Sequence, residues 1–328
     1  MVFKKIISVV MVVAIAATSL CSCARKDKAH IPHRYASAEE GRELMLSSDE
    51  YYSNFTQNDL DFKMKKTGAT MDEYKEFAGA QVGEFTALEK SYIDSCISKM
   101  EKVLDKNGYV LPEIDEIVFI KTTMNEEPGA SGYTHGTQIY LQDVIVSVNT
   151  FGHIIPGFDE YFRHLLWHEL FHCLTRNNPD FRADMYSLIN FTVVDEDFEL
   201  PESVLEYHIT NPDVEHHNSY ATFIIDGEEI DCFTDFVTTK HYDEAQTSFM
   251  SCSTTGLVPI DGTDTFYTSE QASNFDEIFG KNNGNLTDPE ECMADNFADA
   301  MMYGINGKDK QGYPNPEIIQ GVIDRLSK

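Results

Sequence analysis

The sequence predicts an α+β fold, and three features carry that expectation. Residues 86–106 read as a helix: Thr86-Ala87-Leu88-Glu89 forms a capping box, and Leu88, Tyr92, Cys96, Met100 and Val103 recur at close to helical spacing. Residues 114–122 have the β-branched content of a buried strand, running through Ile117, Val118, Phe119 and Ile120. Two further helical stretches, opening at Phe158-Asp159 and Asp288-Pro289, flank a long segment with strand-like runs at 221–225 and 230–239.

Length and charge bound the rest. The chain has 328 residues, enough for one large or two modest domains with a real core. A net charge of -30 speaks against nucleic acid and anionic membrane surfaces as partners. There is no internal repeat and no low-complexity tract.

The first residues stand outside the fold. Lys4 and Lys5 form a basic start, and residues 6–17 are an apolar run too short for a comfortable membrane span. Leu20-Cys21-Ser22-Cys23 then resembles a bacterial lipobox. The resemblance implies a signal peptide over 1–22, a lipid anchor on Cys23 and a polar tether over 23–36 that includes His30 and His33. The protein is then membrane-bound through an N-terminal lipid, or secreted, and in either case works outside the cytoplasm where disulfides are allowed. Of the seven cysteines, Cys96, Cys173, Cys232, Cys252 and Cys292 belong to the body. Five is odd, so one at least stays unpaired within the chain. Cys232 and Cys252 are the candidate disulfide partners, across a β-rich stretch. Cys173 and Cys292 are assigned to packing.

Taken in order, residues 37–48 suit a short helix, while 59–80 are polar, Lys-rich and without a clear period. Asn107-Gly108 stops the 86–106 helix. A Gly-rich loop over 123–137, with His135 in it, leads into a strand at Gln138-Ile139-Tyr140-Leu141. Asp159 is a reasonable N-cap for the next helix, and Asn178-Pro179 ends it. Asp226-Gly227 and Asp261-Gly262 read as hairpin turns. A helix over 288–303 is closed by Gly304, and a last amphipathic helix starts at Asn315-Pro316-Glu317.

Chemistry concentrates in Leu166-Trp167-His168-Glu169-Leu170-Phe171-His172-Cys173. His168 and His172 lie one helical turn apart on one face, where two imidazoles can share a metal ion with Glu169 beside them. The bland alternative is a core helix with two satisfied histidines. The His-Glu-x-x-His pattern resembles the zincin metallopeptidase superfamily. That resemblance implies a zincin-like catalytic domain over 37–328, a small twisted sheet above the motif helix, and a partly β insertion at about 179–287. It also makes Gln138-Ile139-Tyr140-Leu141 a candidate edge strand that aligns substrate.

A catalytic zinc takes three protein ligands and keeps a fourth position for water. The metzincin branch would need glycine at 175 and histidine at 178, where this chain has Thr175 and Asn178. Asp288-Pro289-Glu290-Glu291-Cys292-Met293-Ala294-Asp295 is similar to the ligand helix of the gluzincins, the thermolysin-like branch. The similarity implies Glu291 as third ligand and Asp295 as the carboxylate that orients a ligating histidine. Glu291, Asp295, Ala298 and Met302 share one helical line. Capping by Glu291 at N3 is the competing account, and Glu290 the alternative ligand. Gly262-Thr263-Asp264 loosely resembles the aspzincin setting, with Asp264 as ligand, and His208, His216 and His217 are further metal candidates. The gluzincin reading implies Zn2+ as cofactor, Glu169 as catalytic base, and a peptide or protein substrate. A tyrosine or histidine donor to the oxyanion is also implied, with Tyr220, Tyr267 and His208 as candidates.

Overall fold

The computed structural model describes residues 28–152, 159–245 and 249–327. They form a mixed α+β body with two small five-stranded sheets. The expected signal peptide, the anchor residue Cys23 and Phe158 lie outside the described residues.

The first sheet contains β1 (His33–Tyr35), β2 (Val82–Gly83), β3 (Ile117–Thr122), β4 (Gly132–His135) and β5 (Gln138–Gln142), in the order β1-β3-β5-β4 with β2 also on β3. β1, β3 and β5 run parallel, whereas β4 is antiparallel to β5. Two expectations change here. The tether is shorter than expected, because β1 is hydrogen-bonded into the sheet with Tyr35 opposite Phe119. His33 is not a solvated tether residue but packs edge-on against Phe119 and meets Asp94. And β5, expected at the edge, sits between β3 and β4, so the free edge belongs to β4. The reversal is local: His135 pairs with Gln138, and Gly136, at φ 58, makes the tight turn between them. His135, read as a loop residue, therefore ends β4 and is buried against Tyr51 and Tyr140.

Strand periodicity divides the interior. Ile117, Phe119, Ile139 and Leu141 point into the main core, and Val118, Ile120 and Tyr140 into a second one on the opposite face. The second core is closed by α1 (Ala38–Leu46), α2 (Asp49–Ser53), α3 (Gln57–Met64) and α4 (Met71–Gly79). Capping boxes at Thr56/Asp59 and Thr70/Glu73 start α3 and α4 inside the stretch that showed no period. The main core receives α5 (Ala87–Asn107), opened by the expected Thr86/Glu89 box, then α6 (Asp143–Gly152) and α7 (Glu160–Asn177).

After α8 (Pro179–Tyr186) the chain builds a second, antiparallel sheet. Its strands are β6 (Thr192–Val193), β7 (Ser219–Ile225), β8 (Glu228–Thr238), β9 (Ser253–Pro259) and β10 (Tyr267–Thr268), with α9 (Glu202–Leu205) between β6 and β7. Asp226 and Gly227, at φ 54 and 86, form the two-residue turn of the β7–β8 hairpin. Asp261-Gly262 instead lies in a longer connection from β9 to β10. The Cys232–Cys252 disulfide is not formed. Cys232 pairs with Pro259 at one end of the β8–β9 ladder, while Cys252 precedes Ser253 at the other. The chain closes with α10 (Phe275–Phe279), α11 (Pro289–Tyr303) and α12 (Pro316–Leu326). Among the described residues no helix is long and apolar enough to cross a membrane.

Candidate metal centre

Nearly every side of α7 is buried: Phe162, Leu166, Trp167, Leu170, Phe171, Cys173 and Leu174 all lie in the main core. Polar side chains on such a helix must find partners. Asp159 supplies no side-chain cap; its carboxylate pairs with Lys99 and Arg163 instead. Pro179 ends the helix, with the Asn178 amide on the Leu174 carbonyl at 3.0 Å.

The partners of the histidines come from α11, packed antiparallel. His164 Nε2 meets Asp299 at 3.1 Å, His168 Nδ1 meets Asp295 at 2.8 Å, and His172 Nδ1 meets Glu290 at 2.9 Å. The rungs follow at four-residue steps on α7 and at steps of four and five residues on α11. His164 and Glu290 were missed as members of this ladder, although the four-residue spacing of His164, His168 and His172 was visible in the sequence. Glu290, the alternative ligand, lies outside the converging ligand atoms: it also accepts from Thr175 at 2.6 Å and from the Tyr186 hydroxyl, which fixes it beneath His172.

Glu291 is not folded back as a cap. Asp288 caps α11 itself, accepting from the Glu290 N–H at 2.8 Å. That leaves Glu291 facing α7, with one oxygen taking the Asn211 amide and the other the Asn285 amide, each at 2.8 Å. His168 Nε2 is 3.2 Å from Glu291. His168, His172 and Glu291 each bring a ligand atom, all within 4.8 Å of one another.

Do these residues fit a metal ion? Both histidines donate Nδ1–H to a carboxylate, which fixes the tautomer that presents the Nε2 lone pair. His172 Nε2 is fully buried and has no hydrogen-bond partner, and the same holds for Glu169 Oε2. Buried polar atoms are normally satisfied, so an orphaned imidazole nitrogen among carboxylates is what a cation-binding position looks like. The donor set, two imidazoles and a carboxylate, suits zinc.

The electrostatics agree. Burial favours the neutral acid at Glu291, but the His168 and His172 contacts outweigh it and hold the carboxyl far below its ordinary range. Burial lowers His172, yet the Asp213 and Glu290 carboxylates carry it up to about 9 in the metal-free protein. Glu169 is pushed up to about 8, first by burial and then by the Asp213 charge. Glu169 also rests against the β4 backbone, where a Cβ on Gly132 would fall 2.6 Å from its Oε1. Only glycine leaves that carboxylate its place.

A cavity of about 360 Å³ opens over the cluster, lined by Gly132, Tyr161, His168, Glu169, Phe236 and Glu291 among others. A larger groove, about 960 Å³ along residues 104–115, holds none of the metal-centre side chains. Tyr220, Tyr267 and His208 do not line the 360 Å³ cavity, whereas Tyr161 and His164 do. The other metal candidates lie apart from the cluster. Asp264 accepts from the Ser203 N–H at the surface, His216 meets Asp197, and His208 and His217 share Asp235.

Asp213 had no sequence signal beyond sitting in an Asn-Pro-Asp turn. It is buried, and with Glu169 and His172 it forms a second group whose ligand atoms lie within 4.8 Å of one another. No protein-family model, no curated protein and no solved structure matches this chain.

Proposed function

We propose that the protein is a zinc-dependent peptide-bond hydrolase of the zincin type, with a gluzincin-like ligand set and an N-terminal lipid that holds it outside the cytoplasm. The observation that carries the reading is the convergence of His168, His172 and Glu291 on one point, with His172 Nε2 buried and unpartnered there. His168, His172 and Glu291 would hold the ion, and Asp295 and Glu290 would orient the two imidazoles.

When bound, zinc acidifies its water to a pKa of about 7 and polarises a carbonyl. Glu169 then has the general-base role, taking the water proton and returning it to the leaving amine. Gly132 lets the carboxylate lie against the β4 edge, so an extended peptide paired along β4 would run past Glu169. Tyr161 and His164 line the cavity wall and are the tyrosine and histidine candidates there for a donor to the oxyanion.

The lipid anchor rests on Lys4, Lys5, the apolar run over 6–17 and Cys23. Cys23→Ser is expected to shift the chain from the membrane to the soluble fraction.

The test of the enzyme uses the full-length chain in detergent, with bound zinc measured and a mixed peptide library as substrate. Zinc retained in wild type and Glu169→Gln alike, with cleavage lost only in the variant, is the expected result. Zinc without cleavage in wild type would move the reading to its alternative, a non-catalytic zincin-fold lipoprotein that binds a peptide or protein partner. That alternative is favoured by one observation: residues 209–215 pass over the centre.

A further inference from the structure

Between β6 and β7 the chain crosses the cleft, and Asp213 is where it comes closest to the histidines. Both hydrogen bonds from Thr134, N–H at 2.8 Å and hydroxyl at 2.7 Å, go to Asp213 Oδ1. Thr134 belongs to β4, so this N–H is a donor that an added strand would use. The same carboxylate groups with Glu169 and His172 rather than with His168 and Glu291, and the two groups share His172, whose Nε2 is buried and unpartnered. Asp213 also borders two cavities: the one of about 360 Å³ over His168 and Glu291, and one of about 390 Å³ beside His172 and Arg182. The segment therefore divides what would otherwise be one groove through the centre.

This placement is built. Arg176, half-buried on α7, donates to the Pro212 carbonyl at 3.2 Å, pairs with Glu215 at 2.5 Å and reaches the Thr134 hydroxyl at 2.7 Å. Asn211 donates to Glu291 at 2.8 Å and accepts the Asp213 N–H at 3.0 Å. Upstream, the Thr210 N–H meets Asp59 at 2.7 Å.

We propose that Asp213 is a fourth protein ligand of the metal ion, and that residues 209–215 act as a built-in occupant of the cleft that closes the water position. The proposal rests on the metal-centre reading above. Oδ1 would stay with Thr134, and a small turn of the carboxylate would bring Oδ2 from the Glu169–His172 group to the ion. Two neutral imidazoles and two carboxylates balance the charge of a divalent cation, and four protein ligands give a closed tetrahedral site of the structural kind. Hydrolysis then requires Asp213 to leave the ion and the β4 edge together, which makes the segment a latch on the site.

Cobalt(II) reports the difference without any turnover. The full-length chain in detergent is loaded with cobalt, and its visible absorption is followed during titration with acetohydroxamate. Asp213→Asn keeps an oxygen for both Thr134 hydrogen bonds while weakening ligation; Asp213→Ala removes both. The wild-type spectrum is expected to stay unmoved at concentrations that saturate Asp213→Asn, with at least about a tenfold difference in apparent hydroxamate affinity. Zinc affinity of Asp213→Asn is expected to drop by at least about tenfold, as a charged ligand oxygen is replaced by a neutral one. If Asp213→Ala fails to fold, the asparagine variant carries the same comparison. Wild type and Asp213→Asn with superimposable spectra and equal hydroxamate affinity would overturn the fourth ligand while leaving the metal centre intact. A wild type that takes up neither cobalt nor zinc would overturn both.

Discussion

His172 and His208 are both buried histidines gripped through Nδ1 by a buried carboxylate, and the second ring nitrogen distinguishes them. His208 Nδ1 meets Asp235 at 2.8 Å, and its Nε2 meets the Thr210 hydroxyl at 3.1 Å. That hydroxyl reaches the Asn54 carbonyl, so its oxygen is left to accept from the ring. The His208 pKa is raised by Asp235 against the opposing effect of burial, so the pair favours the charged imidazolium. His172 also has its carboxylate, Glu290, but its Nε2 meets no donor or acceptor. Buried histidines and acids are therefore not in themselves a metal site. What marks one is unsatisfied lone pairs pointing at the same place.

The contrast breaks most sharply on metal uptake. His172→Ala should weaken zinc binding by about ten-thousandfold or more, since one of three ligands carries a large share of the binding free energy. His208→Ala should leave zinc content unchanged. Equilibrium dialysis against zinc buffers reads both, and equal losses would erase the distinction. For stability the order reverses. Removing His208 takes the main partner from buried Asp235 and leaves it His217, so His208→Ala should cost about 3 kcal/mol in urea unfolding.

How much of this was legible beforehand follows from how local each feature is. The helix pattern with His168, Glu169 and His172 is written in consecutive residues, as is the Asp288-Pro289 start of α11. Glu291 and Asp295 both face His168, because helical spacing fixes which side chains share a face. The edge strand was misassigned because β4 lies inside the Gly-rich 123–137 stretch that reads as a loop, and sheet order is a tertiary property. Asp213 was invisible for a stronger reason. Its position depends on Arg176, Thr134 and Asn211 holding a loop from far along the chain, and no periodicity records that.

Smaller effects sharpen the comparison further. Gly132→Ala would put a methyl on Glu169, and displacing a reacting carboxylate by about 1 Å can cost on the order of a hundredfold in rate. Peptide cleavage should fall accordingly with zinc retained, and an unchanged rate would show that Glu169 does not need the β4 contact. Glu290→Gln should lower zinc affinity by about tenfold, because the orienting charge under His172 is lost while the fold remains.

Acidity separates the clusters in sign. Burial raises Asp235 but the His208 and His217 contacts lower it further, to about 2. Its stabilisation is present above the ordinary aspartate range and lost as pH falls toward 2. The raised His208 contributes fully below the ordinary histidine range and loses its contribution as pH rises through its folded value. The strut is therefore strongest between about pH 4 and pH 6.5. The metal centre behaves oppositely. His172, at about 9 in the metal-free protein, must lose a proton to bind zinc. Affinity should fall as pH is lowered from 9 to 6, with proton release on zinc addition detectable in weakly buffered solution.

The central claim is that one ion sits where His168, His172 and Glu291 converge, and anomalous diffraction at the zinc edge from zinc-loaded crystals addresses it directly. A single strong peak in bonding contact with both histidine Nε2 atoms and a Glu291 oxygen is the predicted result. A peak at His208, His216 or His217, or none within reach of His172, would contradict the account.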